Sequence, residues 1–389
     1  MHKRRSIGAA MLLALVLLSA CATPGAGPTD PTEPQNVTTD PTEPNKEEIM
    51  LNSPEFVISE KTVRFIGRHH LDTRRVAYGF YNVAAGITFT FSGTSLELRM
   101  CASEYREFNL NYVAVSIDGG EPVPVCVDRE DWYTVAENLA PDVRHTVTVL
   151  KRTMSNAGAV YIQKARLSDD GKLYTPSQAP ARRIQVIGDS ITCGYGVLWD
   201  GSDTEEVTKW QDGTNSFAAI AARRLGADLE VIAISGAGVG NEELSPYPMM
   251  PSYRQEDMQN NVPCDFTAFV PDVVVIALGT NDDGHHNPHD VFTKNSIEMI
   301  RFIREQYPEA VIIWTYGAMG SSTYGSVIQN MIEEVRIGGD SNVYYLPTSR
   351  PLADEPMGQH GHPGMKSHER MADELVALIC RITGWAEES

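Results

Sequence analysis

The sequence predicts a two-part α/β chain, an all-β sandwich or jelly roll followed by a three-layer α/β/α domain with a parallel sheet. Residues 55–178 hold short alternating or β-branched runs separated by turn-forming pairs such as Ser92-Gly93 and Pro141-Asp142. After Arg183, compact apolar runs alternate with stretches whose apolar residues recur at helical spacing. Continuous apolar runs suit strands buried on both faces, the condition of a parallel sheet covered by helices.

At the start of the chain, Lys3-Arg4-Arg5 leads into a 14-residue apolar run, Ile7 to Ala20, which is short for a bilayer span. Residues 1–20 therefore read as a signal peptide. Leu18-Ser19-Ala20-Cys21 resembles a bacterial lipobox, which makes Cys21 the expected lipid-modified first residue of an extracytoplasmic, membrane-anchored chain, at the cell surface or in the periplasm. Residues 21–54 are rich in Pro, Thr and acids, and Asp-Pro-Thr-Glu-Pro occurs twice, at Asp30–Pro34 and Asp40–Pro44. Proline stiffness and like-charge repulsion favour an extended tether, which suits a monomer.

Sandwich strands are expected at Val76–Val83, Gly86–Phe91, Ser95–Met100, Tyr112–Ile117 and His145–Leu150. Tyr174–Ala181, with two prolines, marks the boundary to a second domain over 180–389. Its strands are expected at Ile184–Ile187, Glu230–Ile234, Asp272–Leu278, Ala310–Thr315 and Asn342–Leu346. Helical spacing joins Phe217, Ile220, Ala221 and Leu225 before Gly226, and again Val327, Ile328, Met331, Ile332 and Val335. A last helix is expected from Pro363 through Met371, Leu375 and Ile379.

The 389 residues carry 32 Lys+Arg against 51 Asp+Glu, a formal net charge of −19 that falls to about −22 without the leader. Such a chain offers no broad positive field to a phosphate backbone, so nucleic acid is excluded as a partner.

In a parallel sheet, ligands bind beyond the carboxyl ends of the strands. The first strand runs into Gly188-Asp189-Ser190-Ile191-Thr192-Cys193-Gly194-Tyr195-Gly196, the second into Ser235-Gly236-Ala237-Gly238-Val239-Gly240 and the third into Gly279-Thr280-Asn281-Asp282. Gly361-His362-Pro363 precedes the last helix. Together these supply a hydroxyl nucleophile, an imidazole to take its proton, and backbone and side-chain amides to stabilise an oxyanion, which are the parts of an acyl-transfer site.

This constellation resembles the SGNH, or GDSL-type, hydrolase superfamily, whose four blocks fall on Ser190, a glycine of the second loop, Asn281 and His362. More closely it resembles carbohydrate esterase family 2. The Gly188–Gly196 sequence, Ser235-Gly236-Ala237-Gly238, Leu278-Gly279-Thr280-Asn281-Asp282, a sandwich ahead of the hydrolase and its opening Phe65-Ile66-Gly67-Arg68 are all similar to that family, so the resemblance covers about residues 60 to 385. It implies a carboxylic ester hydrolase, free of metal and cofactor, that removes acetyl groups from xylan, glucomannan or oligosaccharides cut from them. It further implies Ser190 as nucleophile, His362 as general base, and the Ser190 amide, the Gly238 amide and the Asn281 side chain as oxyanion donors, with Gly236 in reserve. Two alternatives remain open: a GDSL-type esterase acting on another acyl substrate such as O-acetylated peptidoglycan, and a catalytically weak glycan-binding surface lipoprotein.

The chain departs from the superfamily where an Asp commonly lies three residues before the His, because that position is Gln359; position 360 is His, where family 2 often has Asp. Asp354 reads as a surface residue. A Ser–His dyad is therefore expected, with a backbone carbonyl, that of Gly361, accepting the imidazole N–H.

Tyr195, Trp199 and Trp210 follow the nucleophile loop and are candidates for stacking on sugar rings. His285 and His289 have His-x-x-x-His spacing beside Asp282-Asp283, but Asn287-Pro288 interrupts any helix that would bring them to one face, so no metal site is expected. Cys101 and Cys126 lie in the same sandwich, where a pair and two buried thiols are both compatible with the sequence. Cys193 reads as packing.

Overall fold

The computed structural model describes residues 48–49, 51, 53–106, 108–202, 208–240, 244–257, 261–320 and 323–388. The chain divides into two units, 1–44 and 45–389, and all described residues belong to the second. The leader, Cys21 and the tether up to residue 47 lie outside the described residues. The sandwich begins earlier than the expected boundary at residue 55, because Glu48–Ile49 forms an edge strand on Lys172–Tyr174 and the Lys172 ammonium lies 3.1 Å from the Glu48 carboxylate.

Among the described residues the sandwich consists of two antiparallel sheets. One runs in the order Glu48–Ile49, Lys172–Tyr174, Gly86–Ser92, His145–Lys151, Asn111–Ile117, Val123–Val127, with Arg64–Ile66 also on Gly86–Ser92. The other runs Asp131–Ala136, Leu96–Ala102, Val160–Leu167, Ala77–Phe80, His70–Asp72, with Glu55–Val57 also on Val160–Leu167. Phe89, Phe91, Leu98, Met100, Val147 and Ile162 point into the shared core. Val160–Leu167 was not among the expected strands although it is central to its sheet. A register shift between Ile162 and Lys164 breaks its period-two pattern, so its apolar residues do not alternate cleanly.

The second domain is built on five parallel strands, β1 (Arg182–Gly188), β2 (Ala227–Ala233), β3 (Val273–Ala277), β4 (Val311–Tyr316) and β5 (Val343–Pro347), in the order β2-β1-β3-β4-β5. Helices α1 (Phe217–Arg224) and α4 (Met365–Thr383) cover one face, and α2 (His289–Gln306) and α3 (Gly325–Ile337) the other. The Ser216 side chain caps α1 by accepting from the Ala219 N–H, which satisfies one of the donors that a helix start leaves open. Helix α2 was not expected because its buried stripe, Phe292, Ser296, Met299, Ile300 and Ile303, holds a polar Ser where the apolar period needs a residue.

Among the described residues three ion pairs lie between sandwich and sheet domain: Arg64–Asp228 at 3.0 Å, Arg68–Glu230 at 3.4 Å and Arg152–Asp212 at 3.3 Å. The last two are almost fully buried. The Arg68 guanidinium also donates to the Tyr253 and Gln255 carbonyls at 2.7 and 2.8 Å.

Candidate active site

The strand order reverses between β1 and β3, and the chain leaves both at their carboxyl ends, so a crevice opens there. Ser190 follows β1 and Asn281 follows β3. The turn around Ser190 is held by its own backbone, with Cys193 N–H donating to the Asp189 carbonyl and Tyr195 N–H to the Ser190 carbonyl, both at 3.0 Å. Asp189 is buried under this turn, where desolvation raises its carboxyl to about 7 while Oδ1 accepts the Ile191 N–H at 3.0 Å.

His362 lies at the approach to α4, and its Nε2 is 2.8 Å from Ser190 Oγ. Its Nδ1 is 3.1 Å from the Gln359 carbonyl. The orienting acceptor is thus a backbone carbonyl, as expected, but that of Gln359 rather than Gly361. The three-residue turn Gln359–Gly361 folds this carbonyl back beneath the ring, and the Gln359 N–H is itself held by the Gly196 carbonyl at 3.1 Å. Gly196 has φ +59°, and a Cβ there would stand 2.4 Å from the Gln359 Cβ, so the two turns meet only through a glycine. Burial lowers the His362 imidazole to about 4, which keeps it neutral and leaves the Nε2 lone pair free to receive a proton. Asp354 is exposed, and among the described residues the hydrogen bonds of this ring go to Ser190 and Gln359.

The oxyanion side differs from the expectation. The Gly238 amide donates to the Tyr247 carbonyl at 3.2 Å and the Met249 N–H returns to the Gly238 carbonyl at 3.0 Å, so Gly238 belongs to a backbone bridge and is not a free donor. Gly236 occupies the turn closed by the Ala237 N–H to Ile234 carbonyl bond, with φ +85°. Neither its amide nor that of Ser190 has a partner among the described residues. Asn281 Nδ2 donates to the Ala237 carbonyl at 2.8 Å and reaches Asp189 Oδ2 only at 3.4 Å, a distance at which a hydrogen bond is weak.

Asp282, close to His285 and His289 in the sequence, is a structural residue. Its buried carboxylate accepts from the Val239 and Gly240 amides at 3.1 and 2.9 Å and from Asn287 Nδ2 at 3.0 Å, which locks the second loop onto the third. Asp283 accepts from the Tyr316 hydroxyl at 3.0 Å. His285 ends the short helix Thr280–Gly284 and His289 begins α2, so no single helix face carries both. Among the described residues no three His, Cys, Asp or Glu side chains form a metal-sized cluster. Cys101 and Cys126 are both free thiols, and Cys193 is fully buried.

The aromatics are also redistributed. Tyr195, expected as a sugar contact, is only 6% exposed; its ring stacks on His362 with centroids 4.3 Å apart and 30° between planes. Trp199 and Trp210 are half-buried, and the Lys209 ammonium covers one Trp210 face at 4.3 Å. The exposed ring beside the site is Tyr247, 50% accessible, whose Cδ2 lies 3.1 Å from where a Gly236 Cβ would be. Its flanking prolines, Pro246 and Pro248, were the available signal for a ring held out of the core.

A hydroxyl hydrogen-bonded to a neutral imidazole, beside two unpartnered backbone amides, is equipped for acyl transfer through a covalent intermediate.

The chain matches the GDSL-like lipase/acylhydrolase family over residues 186–370 and the carbohydrate esterase 2 N-terminal family over residues 65–176. It is 30% identical over 307 residues to the cellulase/esterase CelE of Acetivibrio thermocellus, covering 76% of this chain and 38% of that protein. It is 24% identical over 354 residues to an acetylxylan esterase/glucomannan deacetylase of Cellvibrio japonicus, covering 88% of this chain and 94% of that one. A family two carbohydrate esterase of Clostridium thermocellum, solved in complex with cellohexaose, superposes with a TM-score of 0.76 at 27% identity, over 83% of this chain and 99% of that one.

Proposed function

Because the chain belongs to family 2 of the carbohydrate esterases, a family of carboxylic ester hydrolases, we propose that it removes O-acetyl groups from plant-wall polysaccharides, xylan or glucomannan, or oligosaccharides cut from them. The observation that carries the mechanism is the 2.8 Å contact between Ser190 Oγ and His362 Nε2. With its Nδ1–H donated to the Gln359 carbonyl, His362 has the tautomer that accepts the Ser190 proton. Ser190 Oγ attacks the acetyl carbonyl, and the negative oxygen that forms is taken up by the Ser190 and Gly236 amides and by the Asn281 N–H nearest Asp189. Collapse breaks the bond to the sugar oxygen, which leaves with the proton held on His362. Water, deprotonated by the same imidazole, then hydrolyses the acetyl-Ser190 ester and releases acetate. Each oxyanion donor of this kind is worth about 3–4 kcal/mol of barrier.

The apolar room required by a long acyl chain is not advertised by the loops after Ser190, and the exposed Tyr247 ring beside the Gly236 turn suits a pyranose face. Lipid anchoring through Cys21 completes the proposal, with the acidic tether holding the enzyme away from the membrane. Acetate release from acetylated xylan, glucomannan and peptidoglycan, run with wild type, Ser190→Ala and added chelator, tests the reaction. Activity is expected on the plant polysaccharides, unaffected by chelator and abolished in the variant; acetate from peptidoglycan alone would reassign the substrate. Fatty-acid labelling lost in Cys21→Ser tests the anchor.

A further inference from the structure

Resting on the reading of Ser190 and His362 as nucleophile and base, we infer that Tyr195 and His360 form a positioning pair that holds the carbonyl-oriented imidazole in register, the task a carboxylate performs in a complete triad. A carboxylate fixes the imidazole by charge as well as by hydrogen bonding. A carbonyl holds it only as firmly as the turn that presents that carbonyl. The orientation of His362 therefore depends on what fixes residues 358–362.

Three backbone bonds contribute: Gly358 N–H to the His362 carbonyl at 2.8 Å, Gln359 N–H to the Gly196 carbonyl at 3.1 Å and His362 N–H to the Gln359 carbonyl at 3.2 Å. In the middle of the turn His360 has φ +53° and ψ +36°, the left-handed region, and Gly361 follows at φ +76°. For a residue with a Cβ that conformation is strained, and it persists where neighbours hold it. Here the holder is visible, since His360 Nδ1 and the Tyr195 hydroxyl lie 2.8 Å apart and share one hydrogen bond. Glycine would adopt the backbone freely but could not make that bond.

Tyr195 is therefore engaged three times. Its N–H donates to the Ser190 carbonyl at 3.0 Å, its ring covers one face of His362 at 4.3 Å, and its hydroxyl pins the turn that supplies the Gln359 carbonyl. A single buried residue thus ties together the nucleophile turn, through its backbone, and the base and the acceptor that orients the base, through its side chain. Loss of the pin leaves every catalytic atom present but allows the imidazole to rock, and misplacement of a reacting group by about 1 Å costs about 100-fold in rate.

The test uses the full chain and four variants, with kcat and KM measured on an aryl acetate and on acetylated xylan. Tyr195→Phe keeps the stacked ring and removes the hydroxyl. His360→Gly relieves the backbone and removes the imidazole, His360→Asn keeps a hydrogen-bonding side chain at a residue tolerant of positive φ, and the fourth combines Tyr195→Phe with His360→Gly. The expected result is a fall in kcat of about 10- to 100-fold for Tyr195→Phe and His360→Gly with KM within about twofold. The double variant is expected to be no slower than the worse single, and His360→Asn to regain most of the rate. His360→Gly as fast as wild type, or losses that multiply in the double variant, would overturn the pairing. The low-field proton resonance of His362 Nδ1–H gives a readout independent of turnover, sharp in wild type and exchange-broadened in Tyr195→Phe and His360→Gly. A wild type that hydrolyses neither ester while its resonance behaves in this way would sink the esterase reading and leave the positioning pair standing. An unchanged resonance in both variants would sink the pair.

Discussion

Lowering the assay pH from 7 to 5 is a perturbation that the buried base should resist. An imidazole at the ordinary value of 6.5 would be only about 3% neutral at pH 5. His362, lowered to about 4 by burial, stays about 90% neutral there, so the two cases differ by about 30-fold in kcat/KM. The sign follows from the chemistry: the neutral imidazole is the active base, so lowering its value moves the acid limb of the profile downward and extends activity into acid. Folding must be followed in parallel. His362 and His368, the latter lowered to about 3, stay neutral in the native state while the unfolded chain binds protons below about 6.5, so they withdraw stability as pH falls from 6.5 towards 4. Asp189, raised to about 7, acts the other way, because below pH 7 its native form binds a proton that the unfolded chain does not. The assay is kcat/KM for an aryl acetate from pH 4 to 8 at constant ionic strength, by direct quantification of acetate, with circular dichroism at each point. An acid limb near pH 6.5 in protein that remains folded would refute the account of the base.

Three further outcomes follow from the same geometry. Asp354→Asn is expected to keep kcat/KM within about twofold, since a real triad carboxylate costs on the order of 10⁴ when neutralised, and a loss of that size would restore Asp354 to the machinery. Asp282→Asn replaces a two-oxygen acceptor serving three donors with a single carbonyl and an amino group; a cost of about 1–3 kcal/mol should appear as a lower Tm, with kcat falling as the Val239–Gly240 loop loosens. Gly196→Ala puts a Cβ against Gln359 at positive φ, and steady-state kinetics should show kcat reduced at least tenfold with the protein still folded; wild-type kcat would show that the two turns can separate without cost.

All five parallel strands and three of the four long helices were legible because each is a compact, mostly apolar run or an unbroken helical stripe. Helix α2 was hidden by Ser296 and the Val160–Leu167 strand by its register shift, two places where the local pattern is interrupted and tertiary packing supplies what periodicity lacks. At the site, Ser190 and Asn281 were legible as residue types at strand ends, and His362 as an imidazole just before the last helix. The choice between Gly236 and Gly238 was not, because it depends on which amide a neighbouring carbonyl has already taken, and Tyr247 lies nine residues further along the chain than Gly238. The same applies to Tyr195: motif reading places an aromatic beside the nucleophile, but only the path of residues 358–362 decides whether its ring faces solvent or His362.

The sandwich bears on catalysis through Arg152, which follows its strand His145–Lys151. The Arg152 guanidinium lies 3.3 Å from the Asp212 carboxylate and donates to the Gln211 carbonyl at 2.9 Å, while the Gly213 N–H returns to the Arg152 carbonyl at 2.9 Å. Asp212 in turn donates its N–H to the Gly194 carbonyl at 3.0 Å, within the turn that carries Ser190. A path of buried polar contacts therefore runs from a sandwich strand to the nucleophile turn, and the sandwich is a buttress of the site rather than a detachable module. Arg152→Met keeps much of the volume but leaves the buried Asp212 carboxylate, still held by Thr214 and Asn215, without its cationic partner, which costs about 3–5 kcal/mol. Thermal unfolding should show a lowered Tm in one transition, and kcat should fall with KM little changed because the turn shifts while the exposed Tyr247 ring does not. Two separate transitions, or a variant with lowered Tm but wild-type kcat, would refute the coupling and return the sandwich to the status of an independent domain.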